Sequence, residues 1–161
     1  MQLPFLFLKK YYLKRVFMKK IKAAVIAIAV AFIVMFTLGG LWNALILEDF
    51  YLSHSPSILR PASEFNLGVI ALGYFVLTLI MGFIVTVNMG ENPKFIGGFM
   101  FGGTFGLAAT LPLYLILYGR WDFSLAYAMV DSGWHFLEEG LGGWVMTALY
   151  FKLINKEQKE A

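Results

Sequence analysis

Three stretches of this chain, Ala23–Leu47, Phe65–Gly90 and Phe95–Gly119, carry no charged side chain at all. Each exceeds the roughly 20 apolar residues that take an α-helix across about 30 Å of hydrocarbon. Lipid offers no hydrogen bonds to an exposed backbone, so a segment crossing alone must satisfy its own N–H and C=O groups as a helix. A fourth stretch, Phe123 to Leu153, is equally long and apolar at both ends but contains Asp131, His135, Glu138 and Glu139. The pattern predicts an all-α integral membrane four-helix bundle, with helices at about residues 23–47, 66–88, 95–118 and 124–153 and a tail at 154–161.

Charge distribution sets the expected orientation. The net charge of +3 does not point to nucleic acid, because Lys9, Lys10, Lys14, Arg15, Lys19, Lys20 and Lys22 crowd just before the first apolar run. Basic residues beside a span mark its cytoplasmic end. With both termini cytoplasmic and the helices running up-down-up-down, that side also takes Lys94, Lys152, Lys156 and Lys159, leaving Arg60 and Arg120 outside. Residues 1–22 read as a basic juxtamembrane segment. Met18-Lys19-Lys20 resembles a bacterial start, so residues 1–17 read either as an upstream extension or, where translated, as a basic, aromatic interfacial segment. The first run is too long for a secretory signal core and ends in Leu47-Glu48-Asp49 rather than a small-residue cleavage site. The expected location is a bacterial or archaeal cytoplasmic membrane, with the lipid bilayer as the main surrounding.

The chemistry is confined to a few residues. The chain has no cysteine, which excludes disulfides, thiolate metal sites and thiol nucleophiles and leaves oxygen and imidazole chemistry. At 100° per residue, Asp131, His135, Glu138 and Glu139 fall within an arc of about 100° on one helix face. Ionised groups at the centre of a span cost about 2.5–3.5 kcal/mol each on insertion scales, so this face should point into the bundle. Asn43, Tyr74 and Tyr114 are the expected supporting polar groups from the other helices, beside Thr78, Thr104 and Thr110. Three uses follow. The four residues could bind or relay a proton or cation, in transport or sensing. Asp131, His135 and Glu139 could hold a divalent cation, giving a metal-dependent membrane enzyme, although charged ligands from other helices are missing. Or the stripe could act as polar glue in an accessory or assembly subunit of a larger membrane complex.

Glycines suggest how the helices approach. Gly98, Gly102 and Gly106 repeat every fourth residue, the spacing that lets helices pack closely, within the bundle or between two copies in a homo-oligomer. Gly140, Gly142 and Gly143 either interrupt the fourth helix and expose carbonyls, or serve the same close packing. A faint echo relates Gly82-Phe83-Ile84-Val85-Thr86 to Gly143-Trp144-Val145-Met146-Thr147, as in a parallel repeat of two hairpins. Leu38-Gly39-Gly40, then Leu47-Glu48-Asp49-Phe50-Tyr51, Arg60 in the first outer loop, and an acidic residue with glycines in the fourth helix make the chain similar to a loose group of small bacterial four-span membrane proteins. That resemblance implies the four-span fold and no particular activity.

Overall fold

A computed structural model describes the backbone of residues 3–54, 60–88 and 95–159 and the side chains of residues 17–54, 60–87 and 96–156. The side chains of Lys9, Lys10, Lys14, Arg15, Lys94 and Lys159 lie outside the described residues.

The protein is all-α, with helices α1 (Leu3–Leu41), α2 (Glu48–His54), α3 (Leu67–Asn88), α4 (Phe95–Tyr118) and α5 (Leu125–Lys159). Three of them are long and apolar enough to cross a membrane, over Phe17–Ile46, Leu67–Val87 and Ile96–Tyr118. The boundaries of α3 and α4 match the apolar runs. Two ends differ from expectation: α1 begins at Leu3, so the basic segment and the apolar run form one helix, and α5 continues through the expected tail to Lys159. After Pro4 in the first turn no Pro or Gly occurs before Gly39, and none follows Gly143 in α5, so neither segment carries a signal that stops the helix. Beyond Leu41, α1 widens into a π-type turn, Trp42–Ile46, closed by Leu47 N–H donating to the Trp42 carbonyl at 2.9 Å.

Helix α5 is the centre of the packing, with α1 on one side and α4 on the other, while α3 lies along α1. Small residues make these seams close. Ala23, Ala27, Ala31 and Met35 are fully or almost fully buried at four-residue spacing, and with Met81, Val85, Met146 and Tyr150 they build the apolar core. A Cβ at Gly102 would strike the Glu139 carbonyl, and one at Gly143 would lie 2.6 Å from the Gly98 carbonyl oxygen. Met35 seats against Gly142, and the Phe99 ring against Gly140. Gly140, Gly142 and Gly143 thus serve close packing, and α5 is unbroken there, with no residue at positive φ among those described. The glycine face of α4 is consumed by α5 of the same chain.

Residue numbers rise along one helix as they fall along its neighbour. Gly98, Gly102 and Gly106 meet Gly143, Glu139 and His135, while Gly39 and Gly82 meet Tyr74 and Ile28. The seams α4 with α5 and α1 with α3 are therefore antiparallel. Gly82 and Gly143, the two glycines of the sequence echo, each occupy the contact within their own hairpin.

Candidate functional site

Asp131, His135, Glu138 and Glu139 occupy one face of α5, as helical periodicity requires, and that face is turned inward: Asp131 is 4% exposed, Glu138 and Glu139 0%. His135 is half-buried between them.

The upper part of the face is fully wired. Asp131 accepts a hydrogen bond from the Tyr51 hydroxyl at 2.8 Å and another from the Tyr114 hydroxyl at 2.5 Å. Tyr51 in turn accepts from the Trp42 indole N–H at 2.7 Å. Trp42 stacks on Trp134 with centroids 4.1 Å apart and planes 3° from parallel. Helix α2 exists to deliver Tyr51. It is tied down by Glu48, which accepts from Ala62 N–H at 2.7 Å, and by the His54 carbonyl, which accepts from Ser124 N–H at 3.1 Å. Burial first, and the adjacent Asp131 charge second, raise the Tyr51 phenol's pKa above its ordinary value, so it remains a donor.

The lower part is wired only through His135. His135 Nδ1 lies 2.8 Å from Glu139 Oε1, while its Nε2 faces Asp131 Oδ2 at 3.5 Å. Both oxygens of Glu138 and Oε2 of Glu139 are buried with no hydrogen-bond partner. The Tyr74 hydroxyl and Trp134 indole lie beside Glu138 without completing a bond to it. Leaving buried polar groups unpaired costs about 1–3 kcal/mol apiece, and more when they are charged.

Room for these carboxyls comes from glycines on both flanking helices. A Cβ at Gly39 would sit 2.9 Å from Glu138 Oε1, and one at Gly106 would sit 2.8 Å from Glu139 Oε2. One ligand atom each from His135, Glu138 and Glu139 lies within 4.8 Å of the others.

A cleft of about 470 Å³ reaches this face from the α2 end, between α3 and α4. Phe36, Asn43, Tyr74, Tyr114, Asp131 and His135 line it. Asn43 is thus at the cleft, but its side-chain amide donates to the Gly39 carbonyl at 3.0 Å, in the turn that follows α1. Thr78 and Thr110 likewise bond to their own helices, at the Tyr74 and Gly106 carbonyls. Of the expected metal trio, the structure joins His135 and Glu139 and adds Glu138, whereas Asp131 is occupied by two tyrosines. Tyr51 and Trp42 were not expected. Their only sequence signal is Glu48-Asp49 opening a short helix, where acidic residues favour a helix N-terminus.

The fold and site define an all-α protein with three candidate membrane spans and a buried His/Glu/Glu cluster on a further long helix. The chain matches no family model, no curated protein and no solved structure.

Proposed function

We propose that this is a four-span membrane protein, running up-down-up-down with both ends cytoplasmic, whose α5 holds a buried site for a proton or cation used in transport or sensing. The basic bias supports the orientation: Lys19, Lys20, Lys22, Lys152 and Lys156 stand at one end of the bundle and Arg60 and Arg120 at the other. Reading α5 as the fourth span is supported by its 35-residue length, its inward-facing acids, and its position between α1 and α4.

One observation carries the cation reading. Glu138 and Glu139 are neighbours in sequence, wholly buried, and keep three of their four carboxyl oxygens without a partner. Two adjacent buried carboxylates repel each other and have lost their water, and with His135 bonded to Glu139 alone of the two, Glu138 calls for positive charge from a proton or a metal ion. Interhelical glue would be expected to use those oxygens, as Asp131 does. The cleft opens onto Asp131 and His135, the neighbours of the pair on the same face, which suits uptake or release.

The test is cation movement in proteoliposomes. Wild-type protein is expected to show cation-dependent flux or cation-coupled proton movement, and Glu138→Gln with Glu139→Gln to remove it while the protein remains folded. Undiminished movement in the double variant, or none in the wild type under any imposed cation gradient, would overturn the transport form of the proposal.

A further inference from the structure

We infer that His135, Glu138 and Glu139 bind one divalent first-row metal ion of the manganese, iron or zinc class, with Asp131 orienting the histidine from outside the coordination sphere. This rests on the cation reading above and narrows its occupant.

The donor geometry comes first. Metal–nitrogen and metal–oxygen bonds of about 2.0–2.2 Å put donors on a shared ion roughly 3–4 Å apart. The three side chains already offer atoms within 4.8 Å of one another, so a contraction of about 1 Å brings them to the spacing of donors on one ion. His135 Nδ1 and Glu139 Oε1 are 2.8 Å apart, and an ion would replace the hydrogen between them. The ring's other nitrogen, Nε2, faces Asp131, whose carboxylate is held by Tyr51 and Tyr114. A histidine with one nitrogen toward acids and the other toward a fixed carboxylate is the arrangement by which proteins orient metal-binding imidazoles.

The unpartnered oxygens are the independent observation. Glu138 Oε1, Glu138 Oε2 and Glu139 Oε2 are wholly buried without a hydrogen-bond partner; Glu138 Oε1 lies beside Gly39, where the Tyr74 hydroxyl also sits, and Glu139 Oε2 beside Gly106. The unpartnered acceptors outnumber the donors beside them, the Tyr74 hydroxyl and the Trp134 indole, neither of which completes a bond to Glu138, and left-over acceptors suit a cation rather than a ligand that itself carries lone pairs.

Charge and donor type select the class. Two carboxylates balance a doubly charged ion, whereas a monovalent ion would leave a net negative charge buried in low dielectric. One imidazole with two carboxylates favours manganese, iron or zinc over magnesium and calcium, which prefer oxygen alone, and the absence of thiolate disfavours copper(I).

The experiment uses the full chain, purified in detergent, stripped with a chelator and given Mn2+, Zn2+ or Co2+ alone. Elemental analysis is expected to find a single ion per chain, and Co2+ to develop an absorption band showing nitrogen ligation. His135→Gln and Glu138→Gln should each abolish uptake, and Asp131→Asn should weaken it about 10–100-fold, as loss of an outer-sphere partner does. Should Glu138→Gln fail to fold, Glu138→Met, which removes the carboxyl and keeps the side chain's bulk, serves in its place and should likewise abolish uptake. Wild-type protein that takes up no ion, or a His135→Gln protein that binds as well as wild type, would overturn the inference. No metal together with flux that depends on Glu138 and Glu139 would sink the metal alone and leave the proton as occupant. No metal and no flux would sink both.

Discussion

Asp131 and Glu138 lie two turns apart on one helix face and are treated in opposite ways. Asp131 receives two tyrosine hydroxyls, and Glu138 receives none. The first carboxylate is a structural fixture, so Tyr51→Phe, which strips Asp131 of a donor and the Trp42 indole of its acceptor, should lower stability by about 1–3 kcal/mol. Thermal unfolding in detergent checks this, and an unshifted midpoint would show that α2 is not held through Tyr51. Glu138 contributes nothing comparable. Buried charged groups can often be replaced by apolar side chains at no cost, or with a gain of up to about 4 kcal/mol, so Glu138→Met should leave the melting temperature unchanged or higher while removing every cation effect. A large loss of stability would instead make Glu138 a packing residue.

At the scale of elements, glycines on α4 and α5 divide into those that touch and those that do not. Gly102 meets the Glu139 backbone, whereas Gly97 has nothing near the position of a Cβ. Gly102→Ala should therefore cost about 1–3 kcal/mol through overpacking, and Gly97→Ala should be neutral or slightly favourable. Equal effects would contradict the seam. The helices themselves were legible: a charge-free run in a chain with 60% hydrophobic residues leaves α3 and α4 no alternative in lipid. Helix α2 was not, because seven residues beginning Glu48-Asp49 carry no periodicity, and its placement depends on contacts with Ala62, Ser124 and Asp131. The shared face of α5 was legible from periodicity alone. Which acid is satisfied and which is bare was not, since that is decided by Tyr51, 80 residues from Asp131 in the chain.

For the whole molecule, the arrangement makes α5 a column buried between α1 and α4, with the cleft admitting access beside α3. The chain has no cysteine, so single cysteines report topology without background. Arg60→Cys and Trp121→Cys should react with a membrane-impermeant maleimide added outside intact cells, and Lys20→Cys and Lys156→Cys only after permeabilisation. Labelling of Lys156→Cys from the same side as Arg60→Cys would mean that α5 does not cross. That positive charge occupies the Glu138–Glu139 pair is read directly by infrared difference spectroscopy of the carboxyl stretches. Adding a divalent cation to the chelator-stripped protein should change the carboxyl bands in the wild type and not in the Glu138→Gln, Glu139→Gln variant. A spectrum that neither divalent cations nor pH alters in the wild type would contradict it.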